Sequence, residues 1–165
     1  MSIENRKAII TFDYEVFLGR ETGTTENCVI RPTESILKVL KENNAKAIFF
    51  VDAAWLLFLK ENMSDDFLLV TGQLKSIIES GSSVELHLHP QWISANKKGN
   101  RINLNSLQHY KLQFLDSEKI SDLFNKSIDL LQSITNQRVS CFRAGGWCIE
   151  PLARSHRRKS YLSLI

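Results

Sequence analysis

Ser83 to Pro90 reads SVELHLHP. Its first six residues form a short segment of strand character, and it runs straight into two imidazoles, His87 and His89, and a proline. The segment therefore reads as a buried strand with polar groups at its C-terminal end. Three other segments repeat this design. Lys7 to Phe12 (KAIITF) is apolar and rich in β-branched residues, and Asp13 and Glu15 follow it. Lys46 to Val51 (KAIFFV) ends at Asp52, and Arg138 to Phe142 ends at Arg143. Helical patterns separate these strands. One helix starts at Pro32 and Thr33 and puts Ile36, Leu37 and Leu40 on one side. Ala53 to Lys60 reads as a second helix. Asp66 to Ser80 reads as a third, stopped by Gly81. Asn96 to Leu115 is polar and irregular, which predicts a long loop. Ser117 is placed to cap a helix with a stripe of Ile120, Leu123, Phe124, Ile128, Leu131 and Ile134. AGGW, after Arg143, reads as a loop.

Apolar strands joined by helices predict an α/β fold with a parallel sheet covered on both faces. In such folds ligands gather at the C-terminal strand ends. All four strand ends here carry polar residues: Asp13 and Glu15, Asp52, His87 and His89, and Arg143.

Length and composition limit the alternatives. The chain has 165 residues, 43% apolar and 24% charged, which predicts one globular domain. No run of about 18 apolar residues is present, so no membrane-spanning helix is expected. MSIENRKAIITFDYE lacks the features of a signal peptide, and the expected location is cytoplasmic. Cys28, Cys141 and Cys148 are odd in number and poorly spaced for a disulfide framework or a CxxC zinc site. The formal net charge is +3, from 21 basic and 18 acidic residues. Four of those basic residues, Arg154, Arg157, Arg158 and Lys159, lie in the last fifteen positions, which hold no acid. The body of the chain is near neutral, so a nucleic-acid partner is not expected.

Asp13 and Glu15 are two apart, as are His87 and His89, so in extended chain each pair points to one side. Together they offer two oxygen and two nitrogen donors. Two imidazoles and one carboxylate suit a divalent metal, zinc first, with cobalt, nickel or iron as alternatives. The remaining carboxylate is then free to act as general base. Arg143, before AGGW at the same edge, is placed to orient an active-site carboxylate. Gly145 and Gly146 mark a loop needing positive φ or close backbone approach. Trp92 and Trp147 have two equal readings, a sugar-binding face or core packing. Tyr14 and Asp52 are weaker candidates, and His109 reads as a loop residue.

TFDYE, FFVD, GSSVELHLHP and FRAGGW, in this order and spacing, resemble the polysaccharide deacetylase superfamily of NodB-type carbohydrate esterases. The resemblance covers about residues 7 to 150. It implies the first four βα units of a distorted, TIM-like (β/α) barrel. It also implies a hydrolase that removes N-acetyl or related acyl groups from a sugar with a divalent metal. Asp13 matches the family's catalytic base and Arg143 the arginine that orients it. Tyr14 stands where the family has a metal-binding aspartate, so the resemblance moves that role to Glu15, with Asp13 and Glu15 exchangeable. His87 matches the first metal histidine. The second would fall on Gln91, and the chain offers His89 instead. HLHPQW with FRAGGW resembles a branch tied to surface polysaccharides such as capsule or O-antigen.

A closed (β/α) barrel needs about 200–250 residues and about seven or eight strands. Four strands are expected here, and nothing after FRAGGW matches the family's later motifs, which include a histidine acting as general acid. From Pro151 the composition changes to a basic tail without strand pattern, with two readings: out-of-frame sequence, or a natural solvated tail on a short domain. The expected domains are thus residues 1–150, the N-terminal part of a deacetylase barrel, and residues 151–165, a tail. An unpaired edge on the fourth strand is expected to invite self-association. Two other functional readings stand beside the enzyme. One is a non-catalytic remnant that binds metal or glycan. The other is an amidohydrolase-like metallohydrolase, disfavoured because HxH there closes the first strand.

Overall fold

The computed structural model describes residues 7–18, 22–99, 101–104, 111–147 and 163–164. A five-stranded parallel sheet has the order β1-β2-β3-β6-β7, from Thr11–Tyr14, Ile48–Asp52, Ser83–Leu88, Cys141–Ala144 and Ser163–Leu164. Spatial order follows chain order without reversal, which is the winding of a (β/α) barrel rather than of a doubly wound sheet. Among the described residues, four α-helices lie between strands: α1 (Arg31–Glu42), α2 (Ala53–Asn62), α3 (Ser64–Glu79) and α4 (Ser117–Thr135).

The sheet's two faces differ. Phe12, Tyr14, Phe49, Val51, Val84, Leu86, Leu88 and Phe142 alternate onto the face that joins the hydrophobic core with the helices. Leu86 and Leu88 are fully buried there, beside Trp55, Leu56, Leu59, Leu74 and Leu131. The other face carries Thr11, Asp13, Phe50, Asp52, Glu85, His87 and Arg143, brought level by parallel register: Asp13 with Phe50, Asp52 with His87, and His87 with Arg143. The parallel sheet expected from the sequence thus has one apolar face, packed with the core, and one polar face. Period-two alternation puts the polar set on the face that a closed barrel turns inward.

Local chemistry sets the ends of the helices. Pro32 lies in the first turn of α1. Asp52 caps α2, its Oδ1 accepting from the Trp55 amide. Gly81 follows α3 at φ +83°. Asp116, not Ser117, caps α4 by accepting from the Lys119 amide at 2.8 Å. Asn136 closes α4 in the left-handed region.

Two expectations are corrected. Part of the expected loop after residue 95 is a β-hairpin, β4 (Ala95–Lys98) paired antiparallel with β5 (Arg101–Leu104). Gly99, next after β4, stands at φ +59°, a conformation suited to a tight reversal. The tail was expected to lack strand structure, yet Ser163–Leu164 pairs in parallel with Cys141–Phe142. The apolar end of the tail thus supplies partners to backbone groups of β6 that were expected to be bare. On the far side, β1 pairs only with β2 among the described residues.

Candidate active site

The site is built on strand ends. Glu85, buried inside β3, accepts from the Ser140 and Cys141 amides at 2.8 and 2.7 Å. That contact fixes where β6 begins, and so where Arg143 emerges two residues later. The Arg143 guanidinium lies 4.0 Å over the Phe50 ring, donates from Nη2 to Thr11 Oγ1 at 2.9 Å, and pairs through Nη1 with Asp13 Oδ1 at 2.5 Å. The pairing of Asp13 with Arg143 joins residues 130 positions apart in the chain. Ring face, hydroxyl and carboxylate together hold the guanidinium in one orientation.

Beside this pair, Glu15 meets both imidazoles. Its Oε2 lies 2.7 Å from His89 Nε2 and 3.2 Å from His87 Nε2, and the two Nε2 atoms are 3.0 Å apart. His87 Nδ1 lies 2.7 Å from the Arg143 carbonyl, an acceptor, so Nδ1 carries the proton and donates. This leaves the neutral ring's Nε2 lone pair facing Glu15 and His89. Three lone-pair donors converging in so small a space repel unless a proton or a cation lies among them. The donor set, two imidazole nitrogens and one carboxylate oxygen, fits a divalent cation. The expected pairing of His87 with His89, rather than with Gln91, is what the geometry brings together. Gln91 is buried, and its Oε1 has no hydrogen-bond partner.

The electrostatics agree with this convergence. Burial pushes the Glu15 carboxyl up, but its contacts with His87 and His89, which favour the carboxylate when a proton lies between, outweigh it and hold the pKa at about 2. Burial pushes His87 down, but the hydrogen bond to Glu15 and the nearby charges of Asp52 and Glu15 carry it above its ordinary value. Asp52 is fully buried beneath them, and desolvation raises its pKa despite the opposing pull of the two histidines. Asp13, Glu15, His87, His89 and Arg143 line one open cleft of about 390 Å³ with Val16, Phe17, Leu18, Ala144 and Gly146.

The family model described as polysaccharide deacetylase matches residues 3–159. The chain belongs to the polysaccharide deacetylase family. Solved structures of similar fold include a family 4 carbohydrate esterase (CE4) pseudoenzyme from Bacillus anthracis, at 20% identity and TM-score 0.58, covering 98% of this chain and 43% of that one. A peptidoglycan deacetylase from Bacillus subtilis aligns at 19% identity and TM-score 0.58, covering 98% and 58%. A family 4 carbohydrate esterase from Streptomyces lividans, in complex with acetate, aligns at 14% identity and TM-score 0.61, covering 98% and 62%. These likenesses are of fold. The deacetylase-family chain spans about half the length of the structures it resembles. No curated protein matches it.

Other expected residues fall elsewhere in this deacetylase-family chain. Trp92 is 3% exposed, its ring 5.3 Å from that of Phe58, so it packs in the core and has no open face for a sugar. Trp147 ends a single turn, Gly145–Trp147, and its side chain lies outside the described residues, as do His109 and Cys148. Tyr14 points to the core face, where its hydroxyl donates to Gln73 Oε1 at 2.8 Å. Among the described residues, no helix is long and apolar enough to cross a membrane. The residue that sequence reading overlooked is Phe17, which is 70% exposed on the cleft wall two positions after Glu15. An exposed aromatic adjoining the DxE acids was the available signal.

Proposed function

We propose that this chain carries the metal-binding and base-bearing half of a carbohydrate deacetylase, which hydrolyses N-acetyl or related acyl groups of a sugar. The observation that carries this reading is the convergence of Glu15, His87 and His89 beside the Asp13–Arg143 pair in one cleft. Glu15, His87 and His89 would hold a divalent cation, zinc by donor type. When bound, such a cation polarises the acyl carbonyl and makes a nearby water more acidic. Asp13 takes the proton of the attacking water. Arg143 keeps Asp13 aimed at the cleft. The His87 Nδ1–H bond to the Arg143 carbonyl keeps Nε2 turned to the cation. Phe17 offers an apolar ring to the sugar. Water adds to the acyl carbon, the C–N bond breaks, and acetate and a free amine leave. A proton for that amine comes from a group outside the set described above.

The HLHPQW and FRAGGW signatures support a surface-polysaccharide precursor as substrate, handled in the cytoplasm. The domain reading is residues 1–150 as the N-terminal part of the barrel and 151–165 as an appended tail. Self-association is supported by the outer edge of β1 and by exposed Val39, Leu68 and Leu69 on α1 and α3. Sedimentation velocity would show it as a concentration-dependent second species, and a single monomer at all concentrations would exclude it.

A second reading is a non-catalytic binder. It is favoured by the pseudoenzyme among its structural neighbours. One experiment separates the two: zinc affinity by calorimetry together with acetate release from N-acetylated oligosaccharides. Binding with release supports the deacetylase, and binding without release supports the binder. Absence of zinc binding overturns both as metal-site readings.

A further inference from the structure

The two histidines are held by different means. His87 sits inside β3, and its ring is fixed by the Arg143 carbonyl. His89 lies beyond the end of β3, and its buried Nδ1 has no hydrogen-bond partner. Nothing bonded to its ring directs Nε2 toward Glu15 except the target itself. Two other contacts hold the residue. The His89 amide donates to Asp52 Oδ1 at 3.2 Å, and the same oxygen caps α2. The ring lies against Gly145, where an added Cβ would stand 2.7 Å from Nδ1 and 2.8 Å from Cε1 and would also collide with the Leu88 carbonyl. The φ of Gly145 is not in the left-handed region, so close approach explains this glycine and backbone conformation does not.

We infer that Asp52 and Gly145 are positioning residues that together form the seat of His89, and that this seat lets a histidine two residues after His87 serve as the second imidazole of the metal centre. Asp52 fixes the backbone at the end of β3, and Gly145 leaves room for the ring. An HxH pair on a strand end needs both. The first imidazole is aimed by the ladder, whereas the second has already left it and needs a separate hold. This inference rests on the reading of Glu15, His87 and His89 as a metal site.

The test uses the full chain and zinc ion alone, with affinity by calorimetry and thermal unfolding recorded without metal. Loss of an outer contact of this kind weakens metal binding about 10–100-fold, and that loss is expected for Gly145→Ala and for Asp52→Ala. Asp52→Asn keeps an acceptor oxygen and is expected to stay within about threefold of the wild type, since the contact is retained. Gly145 acts on the metal centre through His89 and the Leu88–His89 peptide that carries it, so Gly145→Ala combined with His89→Ala is expected to add little to the loss of His89→Ala alone. A general structural defect would instead add to the loss. Wild-type affinity in Gly145→Ala, an additive double variant, or equal losses in Asp52→Asn and Asp52→Ala would overturn the inference while the metal site stands. Should Gly145→Ala fail to fold, the Asp52 pair decides. No zinc binding by the wild type, or binding untouched by His87→Ala and His89→Ala, would overturn the metal reading and the seat with it.

Discussion

Val84, Leu86 and Leu88 leave β3 on one face, and Glu85 and His87 leave it on the other. The first set is buried in the core with Trp55, Leu56 and Leu131, and it holds the helices to the sheet. The second set is also largely buried, yet its members bond to groups far away in sequence: Glu85 to the start of β6, and His87 to Glu15 and the Arg143 carbonyl. The strand therefore does two jobs with alternate residues. Its apolar face fixes the position of the backbone, and its polar face uses that position to bring together groups from β1, β3 and β6. A defect on one face should be read in stability and a defect on the other in binding and turnover.

The predictions test that separation. The largest effect belongs to Asp13→Asn, which is expected to lower acetate release by about 10²–10⁴-fold. Its zinc affinity and melting temperature should stay near wild type. An equal fall in zinc affinity would show that Asp13 is a ligand and that the roles of Asp13 and Glu15 are exchanged. Next is Leu86→Ala on the core face, expected to cost about 2–5 kcal/mol of stability in denaturant unfolding. The folded fraction should bind zinc as the wild type does. A binding loss larger than the unfolded fraction explains would break the separation of faces.

The pH dependence is smaller and has a definite sign. In the metal-free chain His87 holds its proton above the ordinary 6.5, chiefly because Glu15 accepts from it against the effect of burial. The stability from this pair is full below 6.5 and is lost as pH rises through the raised value. Glu15 works at the other end. Its stabilisation is present above 4.5 and is lost as pH falls toward about 2. Zinc must displace the His87 proton, so affinity measured by calorimetry should rise as pH is raised past 6.5. A flat profile between about pH 6 and pH 8 would place the proton elsewhere. The smallest effect is Phe17→Ala, expected to weaken oligosaccharide binding by about 0.5–1.5 kcal/mol without changing zinc affinity. No change in saccharide binding would remove Phe17 from the substrate face.

Much of the fold was legible because its signals are local. β3 was placed with its observed bounds, since a short segment between the helix stop at Gly81 and the HLHP motif leaves little freedom. β1 starts four residues later than expected, at Thr11, because Lys7 to Ile10 lies beyond the ladder with β2. The β4–β5 hairpin was missed although Gly99-Asn100 between alternating residues is a hairpin signal; the polar composition of the segment hid it. The site was legible as a set of residue types at strand ends. The Arg143–Asp13 pair was expected from the resemblance. The hold of Glu85 on β6 and the approach of Gly145 to His89 were not legible, because they depend on register between strands, which composition and spacing do not encode. Trp92 shows the converse: an aromatic beside a motif looked available to a sugar, and packing against Phe58 took it into the core.

The most direct test of the central claim is X-ray absorption spectroscopy of the zinc-loaded chain. One zinc with two imidazole nitrogens and a carboxylate oxygen, at about 2.0–2.2 Å, is expected, with one imidazole lost in His89→Ala. Sulfur at about 2.3 Å, or an unchanged spectrum in His89→Ala, would place the metal elsewhere and contradict the site.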